Sequence, residues 1–273
     1  MKVALDIDLE HTLTCGQAFR WRRREEWWQG VLDGKLVRLR QLDDGVEAHG
    51  LEEKPLRRYL RADDDLETIY EDIGRDPLVA ACVQNHHGLR LLRQQPWECA
   101  ASFILATNAN IPRIIKMVET VCRTFGRRLG GEVYSFPTPR QILNGQGEAA
   151  SCGLGYRCQR FVAFAELAED GGLDGLEALP YEECVRRLVE MPGIGNKVAD
   201  CVALFSLDHL EAFPIDVRIE RILLQEYGME GTYKKLSAAA RMRFGPYAGY
   251  AQEYLYHGLS GLPSSQDRRT PAP

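Results

Sequence analysis

Two residues, Lys197 and Asp216, give this 273-residue chain a chemistry to perform. Lys197 follows Met191-Pro192-Gly193-Ile194-Gly195-Asn196 and opens the apolar run VADCVALF, whereas Asp216 closes the loop Pro214-Ile215-Asp216 and precedes VRIERILL. A lysine in the first turn of a helix meets the positive end of the helix dipole, which disfavours its ammonium and eases deprotonation. Such an amine stabilises its helix poorly and is a candidate nucleophile. Asp216 stands where an N-cap precedes a helix. Each also has a plainer reading, as a solvated surface lysine and an ordinary cap.

The elements that must position this pair are legible around it. Met191 to Gly195 is too rich in Gly and Pro to continue a helix, yet CVRRLVEM before it and VADCVALF after it are periodic and apolar. A helix, a tight hairpin and a second helix follow, spanning 181–205. Gly193 and Gly195 let a phosphate approach the backbone, and the amides opening the second helix point outward with the dipole behind them. That geometry binds a phosphodiester without reading bases.

Length and composition bound the rest. The chain is long enough for two packed domains, and 45% hydrophobic with 27% charged residues is ordinary for a soluble globular protein. No apolar run is long enough to span a membrane, and Met1-Lys2-Val3-Ala4 leads into a strand without a signal-peptide pattern, so an intracellular protein is expected. The eight cysteines are scattered in apolar contexts and read as reduced core residues. No CxxC pair occurs and the six histidines are dispersed, so neither a metal nor another cofactor is expected. The net charge of −5 argues weakly against nucleic acid as a total. Its distribution differs: Arg113, Lys116, Arg123, Arg127 and Arg128 face only Glu119 in their segment, and further basic groups lie at Arg157, Arg160, Arg218, Arg221 and Lys234 to Arg243. Converging on one face, they make the footprint of a DNA-binding surface.

In chain order, residues 1 to about 60 read as an antiparallel meander with turns at Asp33-Gly34 and Asp44-Gly45. Gly16, in Thr14-Cys15-Gly16-Gln17-Ala18-Phe19-Arg20-Trp21, reads as a bulge. From Leu66 the periodicity is helical, with starts at Asp76-Pro77 and Gln95-Pro96 and a helix from Pro112 to Phe125. Asn108-Ala109-Asn110 between two apolar helices is a loop of caps or of reading groups. Gly153-Leu154-Gly155-Tyr156-Arg157 is a second Gly-rich turn, in which Tyr156 is a surface residue or a wedge replacing an extruded base. Gln252 and Tyr256 share one face of a final helix.

These blocks, CGQAFRW, SFILATNANIPRI, CGLGYRC, MPGIGNKVADCV, AFPIDV and GPYAGYAQ, stand in order from Gly16 to Tyr256. Together they resemble the 8-oxoguanine DNA glycosylases of the helix-hairpin-helix superfamily. The resemblance implies an α+β fold: an N-terminal antiparallel β-sheet domain, TBP-like, over 1–79, a mainly α-helical helix-hairpin-helix glycosylase domain over 80–262, and a disordered tail over 263–273. It implies that Lys197 attacks the sugar C1′ and forms a Schiff base that permits β-elimination, while Asp216 activates the amine and stabilises positive charge on the sugar. It places the Gly16 carbonyl opposite the N7–H of 8-oxoguanine, Gln252 at the Watson-Crick edge, Cys201 and Tyr256 on the two ring faces, and Pro214 in the same pocket. Asn108, Arg113 and Arg157 fall on groups that contact the orphaned cytosine, Tyr156 on the wedge, and Gly193, Gly195 and Arg218 on phosphate contacts. Ala109 stands where Asn is usual, and Tyr256-His257-Gly258-Leu259 lacks an acidic residue often found there. The implied partner is double-stranded DNA containing 8-oxoguanine opposite cytosine, and the implied assembly is a monomer. Two other readings fit the hairpin: a glycosylase for other oxidised or alkylated bases, and a non-catalytic DNA-binding module.

Overall fold

Alternation in KLVRLRQL sends Val37 and Leu39 to one face and Arg38 and Arg40 to the other, the signature of a half-buried strand. In the computed structural model, which describes residues 1–259, the sheet comprises β1 (Lys2–Ala4), β2 (Arg22–Arg24), β3 (Trp27–Leu32), β4 (Lys35–Leu42) and β5 (Gly45–His49). All pairs are antiparallel, in the order β1-β5-β4-β3-β2. Trp28 lies opposite Leu39, and Leu39 opposite Ala48, so one face collects a core with Val3, Val37 and Val46. Asp33-Gly34 forms the expected two-residue turn, both residues having positive φ. The β4–β5 turn is Asp43-Asp44 rather than Asp44-Gly45, because Gly45 already pairs with Leu42.

The first 60 residues are not all β. Helices Leu9–Thr14 and Glu53–Tyr59 cover the buried face of the sheet through Leu9, Leu13 and Leu56. The first begins because the Asp8 carboxylate accepts the His11 amide at 2.7 Å, and Leu9 and Leu13 then fall on one side at i, i+4.

From Leu66 the chain is mainly helical, as its periodicity indicates. Asp76 and Gln95 cap helices Pro77–Asn85 and Pro96–Ala106, each with proline in the first turn, where its missing N–H costs nothing. Ile111–Phe125 buries Ile114, Val118, Val121 and Cys122, with Ile115 partly buried against the same core. These helices, with Arg157–Glu169, Asn196–Ser206 and Ala248–Gly258, enclose a second and larger core. Cys15 and Phe19 belong to that core and not to the sheet's, so the segment carrying Gly16 leaves the sheet layer and enters the helical body. All eight cysteines are free thiols, seven buried and Cys158 half-buried. The expected tail, 263–273, lies outside the described residues.

Candidate active site

The hairpin forms as its sequence requires. Helix Tyr181–Val189 ends, Gly193 turns the chain at φ +81°, and helix Asn196–Ser206 starts with Gly195 at its N-cap and no side chain over the exposed amides. A Cβ on Gly193 would lie 3.1 Å from Arg160 Cβ and 3.2 Å from Ile104 Cγ2, so this turn sits tightly on two helices. A Cβ on Gly195 would meet nothing within 4 Å. The inner side of the hairpin is packed, while its outer side presents open backbone donors to an anion.

Lys197 points the opposite way, into the protein. With Asp216 it lines a cavity of about 50 Å³ that also takes Cys15, Gly16, Phe103, Cys201, Phe205, Pro214, Gln252, Glu253 and Tyr256. Larger clefts lie elsewhere, up to about 820 Å³, but this small one is where the expected amine, carboxylate and base-reading groups meet. Its volume is well below the roughly 300 Å³ of ordinary ligand pockets. A base therefore enters only if a wall moves, and half-buried Tyr256 is the wall nearest Gly16. Gly16 has φ +103°, and a Cβ there would approach the Tyr256 ring at 3.5 Å.

The Lys197 amine lies 4.8 Å from the centre of the Phe103 ring. Burial lowers its pKa, but the Cys201 sulfur, Asp216 and Tyr256 outweigh that and hold it above the ordinary lysine value. The easier deprotonation expected at a helix N-terminus is thus opposed by these neighbours. Burial pushes the Cys201 thiol up to about 11, so this residue faces the pocket as a neutral, polarizable group. Asp216 is the N-cap of Val217–Tyr227, accepting the Ile219 amide at 2.9 Å, which fixes the carboxylate and leaves its plain and catalytic roles compatible.

Helix Ala248–Gly258 contributes Gln252 and Tyr256 on one face, with Glu253 beside them. Gln252 is buried and its Oε1 has no hydrogen-bond partner, the condition of an acceptor whose donor arrives with a ligand. Arg218 stacks on Tyr256, its Cζ 4.5 Å from the ring centre.

Sequence reasoning missed three supporting groups. Glu253 is buried with Oε1 unpartnered, and burial, reinforced by Asp216 and opposed by Cys15 and Lys197, pushes its pKa up to about 7. Gln17, 1% exposed, donates to the carbonyls of Thr12 and Arg90 at 2.9 and 2.8 Å and accepts the Leu92 amide at 2.7 Å, anchoring the loop beside Gly16. Asp200 accepts hydrogen bonds from Tyr181 and Tyr233, both at 2.6 Å. A polar residue amid apolar neighbours was the available signal for all three.

The residues expected at the opposite strand gather at a separate edge. Tyr156, 51% exposed, follows a turn in which Gly153 and Gly155 have positive φ. Its hydroxyl donates to the Thr107 carbonyl at 3.2 Å and accepts from Asn108 Nδ2 at 3.1 Å. Arg113 is exposed, without an ion pair among the described residues. Arg157 departs from the expected picture: it is 2% exposed, and its guanidinium donates to the carbonyls of Thr107, Asn108 and Leu154. It braces the loop bearing Asn108, which itself has φ +51°. Not all basic groups join this edge either, since Arg241 and Arg243 pair with Glu182 and Asp76.

The chain is similar to known proteins along most of its length. A family model described as the 8-oxoguanine DNA glycosylase N-terminal domain matches residues 2–100. The N-glycosylase/DNA lyase OGG1 of Arabidopsis thaliana is 32% identical, over 96% of this chain and 79% of that protein. The Clostridium acetobutylicum 8-oxoguanine glycosylase/lyase, solved with double-stranded DNA containing cytosine opposite 8-oxoguanine, superposes with a TM-score of 0.89 at 27% identity. That match covers 95% of this chain and 97% of that one. A 3-methyladenine DNA glycosylase from Archaeoglobus fulgidus shares the fold, with a TM-score of 0.79 at 22% identity. With a hairpin, an inward lysine and a matching N-terminal region in one chain, this protein belongs to the 8-oxoguanine N-glycosylase/DNA lyase family.

Proposed function

We propose that the protein excises 8-oxoguanine opposite cytosine from duplex DNA and then cleaves the strand at the resulting abasic site. The observation that carries this reading is that Lys197 and Asp216, from two different helices, share one cavity with Gly16 and the unpartnered Gln252 Oε1. The amides of Gly193 to Lys197 hold a phosphate of the damaged strand, with Arg218 nearby. The extruded base enters between Cys201 and Tyr256. The Gly16 carbonyl accepts from the N7–H that only the oxidised base carries, and Gln252 reads the Watson-Crick edge. Normal guanine would leave that carbonyl facing a second acceptor, which is a strong basis for rejection.

An ammonium has no lone pair to donate, so the Lys197 amine attacks in its unprotonated form. Asp216 and Glu253 are the carboxyl groups in reach of the same cavity, and the departing base is a further acceptor. The neutral amine then forms the Nζ–C1′ bond as the glycosidic bond breaks, its electron pair leaving with the base, which takes up a proton. Asp216, held by the Ile219 amide, stabilises the positive charge that develops on the sugar. Opening of the sugar ring gives a Schiff base. Loss of a C2′ proton expels the 3′ phosphate, and water hydrolyses the imine to restore the amine. Tyr156 fills the gap in the duplex, Asn108 and Arg113 meet the orphaned cytosine, and Arg157 positions their loop.

Borohydride reduction should trap a covalent complex between the protein and an 8-oxoguanine:cytosine duplex, and Lys197→Gln should form none. Failure of the intact protein to give the adduct would overturn the reading.

A further inference from the structure

Three of the six histidines, remote from one another in sequence, meet outside the base pocket. His11 lies on helix Leu9–Thr14, His86 is the C-cap of Pro77–Asn85, and His257 is near the end of Ala248–Gly258. Their ring centres are 4.6, 5.1 and 4.7 Å apart, and one nitrogen from each lies within 4.8 Å of the others. His11 Nδ1 and His257 Nε2 are 3.1 Å apart, and the rings meet edge-on at 67 to 87° rather than stacking. All three are half-buried, and His86 Nδ1 is buried with no partner.

Hydrophobic packing alone does not account for this arrangement. A neutral imidazole has one donor and one acceptor, so a single N–H···N bond can join His11 and His257, but it leaves the buried His86 Nδ1 without a partner. One cation satisfies all three at once. We propose that His11, His86 and His257 bind a single divalent transition-metal ion of the zinc class. Tetrahedral zinc at about 2.0–2.1 Å from each nitrogen sets the nitrogens about 3.4 Å apart. One pair is already there, and small ring rotations close the rest. An all-nitrogen set does not suit calcium or magnesium, which take oxygen ligands.

The surroundings fit a ligand set. With His11 Nδ1 turned inward, its Nε2 faces the Asp8 carboxylate at 4.0 Å, too long for a hydrogen bond but close enough for the two to attract electrostatically. His257 directly follows Tyr256, and the helix of His11 leads into Cys15-Gly16. A bound ion would therefore tie together two walls of the base pocket without entering it.

The test uses the full chain stripped of metal, titrated with zinc and separately with cobalt(II) near neutral pH. One equivalent of zinc should bind saturably and raise Tm. Cobalt should give ligand-field bands without thiolate charge-transfer absorption. X-ray absorption at the zinc edge of the intact protein should show nitrogen and oxygen neighbours only. His86→Phe and His257→Phe should each weaken zinc binding at least ~10-fold and remove the Tm shift. Absence of saturable binding, sulfur neighbours, or undiminished binding in both phenylalanine variants would overturn the proposal. The intact-protein spectra decide the matter if those variants do not fold, and none of these readouts depends on glycosylase activity.

Discussion

The Tyr233 hydroxyl donates to the buried Asp200 carboxylate at 2.6 Å and accepts the Ile215 amide at 3.3 Å. It joins the helix that carries Lys197 to the residue just before Asp216, so the spacing of the two reacting groups is held by a third group that touches neither. Burial raises Asp200 to about 6 even with two phenols stabilising its charge. Tyr233→Phe removes one of those donors and leaves the Ile215 amide unpartnered. A loss of about 1–3 kcal/mol of stability follows from the unsatisfied groups. The rate of base release in a single turnover should fall while affinity for abasic DNA stays within about twofold. Equal losses in both would show that Tyr233 serves the fold only.

Glu253 makes stability depend on pH in the unusual direction for a carboxylate. Its folded pKa is pushed up to about 7, against 4.5 for the free side chain. Between these values the folded state holds the proton and the unfolded state has released it. Stability therefore falls as pH rises through that window and levels off above it, by about 3 kcal/mol over the roughly 2.5 units. Glu253→Gln removes the titration, so its Tm relative to the parent should rise from about pH 5 to about pH 8. A constant difference across that range would refute the assignment.

Which features were legible in the sequence follows from their range. Asp76-Pro77, Gln95-Pro96, Gly193 and Asp216 act on their own few residues, so local chemistry placed the helix starts, the hairpin and the cap. The early helix Leu9–Thr14 has an N-cap too, but six residues carry too little periodicity to stand against the β pattern that follows. Long-range relations were invisible. The pKa shift of Lys197 depends on burial, Cys201 and Asp216, the setting of Arg157 on the carbonyls of Thr107 and Asn108, and the meeting of His11, His86 and His257 on how three helices pack. Dispersal of histidines along a chain says nothing about their separation once helices pack.

The buried Gln17 side chain holds three backbone groups of two segments together. Gln17→Leu is similar in size but leaves the Leu92 amide and the Arg90 carbonyl without their side-chain partner, and the Thr12 carbonyl with only the Cys15 thiol at 3.3 Å. The cost should be about 3 kcal/mol, read as a lowered denaturant midpoint with unchanged slope. Because the next residue back is Gly16, discrimination between 8-oxoguanine and guanine should also narrow. A fully stable variant, or one with intact discrimination, would show that the loop is held by other contacts.

The two hairpin glycines should separate stability from DNA binding. Gly193→Ala places a Cβ at φ +81° and about 0.3 Å too close to Arg160 and Ile104 for ordinary contact, so it strains the turn by about 1–2 kcal/mol. Gly195→Ala has φ −98° and open space around the new methyl, so Tm should hardly change. That methyl instead occupies the side from which a phosphate approaches the first amides of the Lys197 helix. Affinity for duplex DNA should drop at least ~5-fold, a cost of about 1 kcal/mol, for damaged and undamaged sequences alike. Thermal unfolding and fluorescence anisotropy on the same two variants provide the check. Loss of binding in Gly193→Ala alone, with Gly195→Ala unaffected, would mean that the outward amides do not hold the strand.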